Sequence, residues 1–317
     1  MQWKQIKTLF ILCFLILDVY LLLMLFNQTS ETEFALPDTS ESTFEQQLEA
    51  EDISISADLP AANASESYLY LNQKSFTDED LAFFDNVDNQ TSEVINGNFI
   101  LSVFEDPVSI PKDADSKLIN DIVKGNIPLS TQYTFGSWNS EMNVLLFFQQ
   151  KNDLPIYYNQ NGIVLVYLNN DNEMIFYTQT MLEDSQPPSE EQTEEQTSIE
   201  PIEPMTAIRA LFDGNRLENG DEITDVNMGL HTRFPLESEQ VFSPTWTITV
   251  NEKQNFHVNA LENLIVSSNE RTFLTGAITS TIEKIQNLDD DNEMKGFVLP
   301  HLNELLSANQ QSESEIE

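Results

Sequence analysis

The side chains best suited to chemistry are few and scattered. The three histidines, His231, His257 and His301, stand far apart, and none belongs to an H-E-x-x-H pair that would set two imidazoles on one helix face for zinc. The fold could bring two of them together, but a core or surface histidine is the better reading of each. Ser109-Ile110-Pro111-Lys112 matches S-x-x-K, the nucleophile motif of penicillin-binding enzymes, and Ser137-Trp138-Asn139 resembles their second motif. No Lys-Thr-Gly follows, however, and Pro111 spoils the helix that should carry the serine and lysine. Asp289-Asp290-Asp291-Asn292-Glu293 offers the oxygens calcium prefers, yet Met294 stands where an EF-hand loop requires glycine. A solvated acidic turn is the better reading there. The nine glycines form no phosphate-cradling loop and no G-x-S-x-G elbow. Carboxylate pairs for glycoside hydrolysis can be drawn anywhere in so acidic a chain and discriminate nothing. These residues point to no catalytic group, no metal ligand set and no cofactor.

One ionisable residue is informative through its surroundings. Asp18 lies within an apolar run from Ile6 to Phe26 that holds eight Leu, three Ile, three Phe and one Val. At about 1.5 Å per residue the run reaches roughly 31 Å, enough to cross a bilayer core. Its aliphatic residues each favour insertion by roughly 0.3–0.6 kcal/mol, against about 3 kcal/mol for a carboxylate near the centre. Insertion wins. Lys4 and Lys7 stand at the N-terminal end of the run and no other basic residue follows until Lys74, so the expected orientation leaves Met1 in the cytoplasm and the bulk outside. A cleavable signal peptide has a shorter core and a small-x-small site, whereas Phe26-Asn27-Gln28 follows here. An ionisable group inside a span usually faces protein or water, which makes Asp18 a candidate for partner contact. By helical spacing Ile11, Phe14, Leu15, Leu21, Leu22 and Leu25 lie on or beside its face. Trp3 and Tyr20 read as interfacial aromatics.

The net charge of −39 makes nucleic acid and anionic lipid improbable partners for the body, and solubility is the plain explanation of the acidity. The one cysteine, Cys13, lies in the apolar run, so the external part has no disulfide. That fits a bacterial exterior better than a eukaryotic one.

The elements that would position these residues alternate between helix and strand. Residues 1–7 form a cytoplasmic tip, 8–26 a transmembrane helix and 27–43 a Ser/Thr/Glu-rich stalk. A first α+β domain spans 44–182. Phe44, Leu48 and Ile53 predict a short helix running into the strand Ile53-Ser54-Ile55. Thr77-Asp78-Glu79-Asp80 resembles a capping box before Leu81. A helix from Asp113 to Lys124 has Leu118, Ile119, Ile122 and Val123 on one face and Gly125 to end it. Ile156-Tyr157-Tyr158, Ile163–Leu168 and Met174–Tyr177, separated by Asn-rich turns, predict a three-stranded meander. Residues 183–198 contain no aliphatic or aromatic residue and read as an acidic disordered linker. A second α+β unit, 199–270, opens with a helix from Pro204 to Gly214, followed by strands at Thr245–Val250, Phe256–Ala260 and Leu264–Val266. A helix and a meander in each half suggest a duplication. Residues 271–317 hold two amphipathic pieces, Ile278–Leu288 and Leu302–Leu306, and an acidic tail.

The N-terminus, Trp3-Lys4-x-x-Lys7-Thr8-x-Phe10-Ile11 followed by Phe14-Leu15-x-Leu17-Asp18-x-Tyr20-Leu21, resembles the YycI family. Tyr167–Gln179, Ile202–Leu211 leading to Leu217–Ile223, Trp246-Thr247-Ile248-x-Val250 and His257-Val258-Asn259-Ala260 look like family signatures too. The similarity covers roughly residues 1–266, while the acidic linker and the tail after about 275 run longer than the family pattern. The resemblance implies a membrane-anchored accessory protein of the YycFG (WalKR) two-component system of low-GC Gram-positive bacteria, with external α+β units similar to domains of the sister protein YycH. It implies that the membrane helix contacts the sensor histidine kinase YycG (WalK) together with YycH, in a homo- or heterodimer, and it carries over no catalytic residue or cofactor. The rival expectation is a membrane-tethered cell-wall enzyme or ligand-binding envelope protein, which would require a concave polar site in the external part.

Overall fold

The structure, a computed structural model, describes residues 43–62, 67–82, 84, 87–185, 200–235 and 239–314, together with Lys7, Leu12, Phe14, Leu15 and Leu17. Contacts divide the chain into Met1–Gln47 and Leu48–Glu317. In the first unit the five described residues of the apolar run are helical, and Leu12, Phe14, Leu15 and Leu17 are exposed. Among the described residues no helix is long and apolar enough to cross a membrane. Most of the expected span 8–26, the stalk 27–42 and residues 186–199 of the expected linker lie outside the described residues. Helix α1 (Phe44–Ala50) runs across the division between the units.

The second unit holds two seven-stranded sheets. In the first, β3 (Gln90–Ile95), β4 (Phe99–Ser109), β9 (Glu173–Gln179), β8 (Ile163–Leu168), β6 (Val144–Lys151) and β5 (Tyr133–Asn139) are neighbours in that order, all antiparallel, and β7 (Leu154–Pro155) pairs with the end of β6. Every residue of β8 is buried, because the strand is covered on both faces. Ile163, Leu165 and Tyr167 join a core with α5 (Glu270–Gln286) and α6 (Glu293–Ser314), while Val164, Val166 and Leu168 join another with α3 (Ser116–Asn126). Two-sided burial explains why β8 reads as a continuous apolar run rather than an alternating one.

The second sheet follows the order β1 (Ser54–Ile55), β11 (Glu222–Pro235), β12 (Glu239–Val250), β13 (Gln254–Asn259), β14 (Leu264–Val266). Along the first half of β12, β2 (Leu69–Gln73) takes the place of β13 opposite β11, and β2 in turn pairs with β10 (Leu182–Asp184). Helix α4 (Pro204–Asp213) lies against β12, β13 and β14. Segments are therefore traded along the chain. Residues 54–55, 69–73 and 182–184 complete the second sheet, and the C-terminal helices α5 and α6 cover the first. Gln149 of β6 holds β10 in place through a two-way bond, its amide nitrogen donating to the Leu182 carbonyl (2.8 Å) and its oxygen accepting from the Leu182 N–H (2.7 Å).

Several expectations hold. The capping box at Thr77 forms, opening α2 (Asp78–Leu81), and the helix from Pro204 ends at Gly214. Strands do occupy Thr245–Val250, Phe256–Asn259 and Leu264–Val266, although β12 begins already at Glu239 and β11 lies where no strand is expected. A helix followed by four consecutively paired strands does recur, as α3 with β5-β6-β8-β9 and α4 with β11-β12-β13-β14. Other expectations need correction. The 113–124 helix is Ser116–Asn126, capped by Asp115. It runs through Gly125, and Leu118 is exposed. The third strand of the first meander is β6 and not Ile156-Tyr157-Tyr158, because Val144–Phe148 pair with β8 while the Tyr157 N–H is taken by the Leu230 carbonyl of the other sheet. Glu183 and Asp184 are strand residues, held by β2, although polar side chains alone suggest a linker.

Candidate functional site

Period-two alternation sorts the second sheet into an apolar and a polar face. In β12, Trp246, Ile248 and Val250 project to one side and Thr245, Thr247 and Thr249 to the other. On the first side, the Trp246 indole N–H donates to the Ile202 carbonyl just before α4 (2.8 Å). On the other side, the register extends the threonines into rungs: Thr249 with Asp225 and Asn255, Thr247 with Asn227 and His257, Thr245 with Gly229 and Asn259, and Ser243 with His231. Much of this face is buried, including Thr245, Thr247, His231 and His257. Buried polar groups must find partners, and here they find one another. The Asn259 amide donates to Ser243 Oγ (2.9 Å) and Glu262 Oε2 (3.0 Å), and the Thr245 hydroxyl donates to the Ser243 carbonyl (3.1 Å).

At the centre, His231 Nε2 stands 3.2 Å from His257 Nδ1, and Thr247 Oγ1 lies 3.1 Å from the same His257 nitrogen. Two rings meeting nitrogen to nitrogen share one proton, so one donates and the other accepts. Burial keeps them neutral. It pushes His257 down to about 4, and it pushes His231 well below the ordinary value, with the neighbouring His257 as second cause.

Two tyrosines roof the pair. The segment Leu154–Tyr158 bridges the sheets, since the Ile156 N–H donates to the Gln149 carbonyl (2.8 Å) and the Tyr157 N–H to the Leu230 carbonyl (2.9 Å). The Tyr157 ring lies 5.5 Å from that of His231 and 5.8 Å from that of His257. It rests on Gly229, where a Cβ would come within 2.3 Å of the ring. Tyr158 has φ of +50°, a left-handed conformation that disfavours a bulky residue. Its ring is held between Phe148 (5.3 Å) and Phe273 (5.5 Å). Burial raises both phenols, with Thr247 opposing the shift at Tyr157 and Glu270 adding to it at Tyr158.

Tyr157 and Tyr158 separate two cavities. The smaller, about 160 Å³, reaches His257, Asp225, Asn227 and Glu270. The larger, about 430 Å³, reaches His231, Gln160, Thr272 and Phe273. The carboxylates of the smaller one are engaged. Asp225 accepts from Asn227, and Glu270 accepts from Ser137 Oγ (2.6 Å) and Asn139 Nδ2 (3.0 Å). Such a site offers stacking surfaces and neutral hydrogen-bonding groups, with two carboxylates confined to the smaller cavity. Among the described residues no group of three or more His, Cys, Asp or Glu is placed to hold a metal ion.

Of the residues singled out by sequence, the fold unites His231 and His257 as core histidines and leaves His301 apart on α6, against Phe176 (5.4 Å). Ser109 bonds Glu173 (3.1 Å), whereas Ser137 and Asn139 anchor Glu270 at the start of α5, so the penicillin-binding motifs do different structural work. The acidic turn at 289–293 is tied by Lys295 to Asp290 (2.8 Å), and Asn292 caps the next turn through Lys295 N (3.0 Å). Phe14 and Leu15 are helical and exposed, while Ile11, Asp18, Leu21, Leu22 and Leu25 lie outside the described residues. Sequence reasoning missed Tyr157, Tyr158, Gln160 and Thr247 as a group. The available signal was the alternation in TWTITV and FHVNA, which sets Thr247 and His257 on the faces opposite Trp246 and Val258.

A family model described as "YycI protein" matches residues 34–261. No curated protein matches. Among solved structures, the chain is similar to an uncharacterized protein from Eubacterium rectale, at 9% identity and a TM-score of 0.36, over 69% of this chain and 91% of that one.

Proposed function

Because the chain belongs to the YycI family, an accessory regulatory family of the YycFG two-component system, we propose that it is a membrane-anchored regulator of a YycG-type sensor histidine kinase, acting with a YycH-type partner. The family match is the observation that carries this reading, and the apolar run from Ile6 to Phe26 supplies the means. In this reading the run spans the membrane with its N-terminus in the cytoplasm. Ile11, Phe14, Leu15, Asp18, Leu21, Leu22 and Leu25 then meet the membrane helices of the kinase. The contact biases signalling only if it favours one kinase state over the other. A difference of about 1.4 kcal/mol moves that equilibrium tenfold. The external unit holds the helix in register and pairs with the sister protein.

The test fuses residues 1–30 to an inert outer domain and measures kinase association and output. The fusion is expected to associate with the kinase and shift its activity. A fusion that does neither removes the helix from the mechanism. Asp18→Leu then asks whether the carboxyl takes part in the contact, and association at the wild-type level makes it a passenger.

A further inference from the structure

The two cavities that flank the tyrosines differ in charge. The smaller contains Asp225 and Glu270. Among the described residues that line the larger, none carries a formal charge, although the whole chain holds 53 acidic and 14 basic residues. An anionic ligand would meet the repulsive field of the body and find no cation inside, and a cationic ligand would find no carboxylate to pair with. Aromatic rings, hydroxyls and amides remain. Tyr157, Tyr158 and Phe273 supply an aromatic wall. Gln160 makes no side-chain hydrogen bond among the described residues, so its amide can both donate and accept, and Ser268 Oγ has no partner. His231 adds its second ring nitrogen, on a ring that burial holds neutral. Gln160 and Thr272 are exposed, so the lining is reachable from solvent.

We propose that the larger cavity, bounded by Tyr157, Tyr158, Phe273, Gln160, Thr272 and His231, binds a neutral saccharide. An apolar sugar face rests on the aromatic wall, and the ring hydroxyls or an acetamido group bond the amide and hydroxyl side chains. A volume of about 430 Å³ lies within the range of small-molecule sites, roughly 300–1,000 Å³. The inference stands on this cavity and not on the kinase reading, so either can fail without the other.

The experiment titrates the full chain in lipid nanodiscs by calorimetry. The neutral probes are cellobiose and diacetylchitobiose, and the charged comparators are a glucosamine dimer and a diuronate. Saturable binding of at least one neutral disaccharide is expected, with the charged pair at least about tenfold weaker. Gln160→Leu and Thr272→Ala should each weaken it by roughly three- to tenfold, the worth of one hydrogen bond. Both positions are exposed, so the variants should melt like the parent. Asp225→Asn, in the other cavity, should leave affinity unchanged. No saturable binding of either neutral probe, equal binding of the charged comparators, or affinity untouched by both Gln160→Leu and Thr272→Ala would overturn the assignment.

Discussion

The two sheets of the second unit treat their faces differently. The first is covered by helices above and below, so β8 buries Ile163, Leu165 and Tyr167 against α5 and α6 and buries Val164, Val166 and Leu168 on the side of α3. Its other strands bury polar groups too, among them the Ser102 and Tyr177 hydroxyls, which both donate to Gln90. The second is apolar only where Trp246, Ile248 and Val250 project, and its other face carries Thr245, Thr247, His231 and His257 in a buried polar ladder. Burying polar groups stabilises nothing by itself, because each must replace the water it loses. The apolar core around β8 is thus explained by folding alone, whereas the polar ladder of the second sheet, which opens onto two cavities, invites a use. Both cavities beside the tyrosines contact residues of that ladder.

The contrast can be broken from either side. The largest effect is expected on the apolar face, where Trp246→Ala should cost about 3–5 kcal/mol in urea unfolding, as for other buried large-to-small changes. Next comes pH. An unfolded histidine takes up a proton below about 6.5, while buried His257 does so only near 4. Between those values the unfolded chain holds more protons, so the His257 contribution is constant above about pH 6.5 and falls by about 3 kcal/mol on the way down to pH 4, with His231 acting in the same direction. A flat profile across that window would show that the pair is not buried as described. Gly229→Ala drives a methyl into the Tyr157 ring and against the Pro155 carbonyl. It should cost about 1–3 kcal/mol and weaken binding in the larger cavity. The smallest effect is expected for Thr247→Val, which leaves His257 bonded to His231 and removes one hydroxyl, at about 1 kcal/mol. If Thr247→Val matched Trp246→Ala, the two faces would not differ as proposed.

What the sequence reveals follows the same division. Local chemistry was legible: the Thr77 capping box, Pro204 and Gly214 at the ends of α4, and the alternation of TWTITV. Partners set by distant residues were not. Ile156-Tyr157-Tyr158 looks like a strand because its residues favour one, yet the segment hydrogen-bonds across two sheets instead of joining a meander. Glu183 and Asp184 look like linker, but β2, more than a hundred residues earlier, pairs with them. The two histidines are 26 residues apart, and only the pairing of β11 and β13 on either side of β12 brings them to 3.2 Å. The positive φ of Tyr158 has no sequence signature at all, since tyrosine is a poor occupant of that region.

The proposed route of action lies in the other unit, and it can be tested without reference to the sheets. A photo-crosslinking residue placed at Phe14, Leu15 or Leu22 of the full chain in intact membranes should form adducts with the sensor kinase. Yield should fall when the probe is moved to Leu12 or Leu23, off the Asp18 face. Membranes in which every position crosslinks only lipid, or in which the polypeptide is recovered free of the bilayer, would contradict regulation through a helix-to-helix contact.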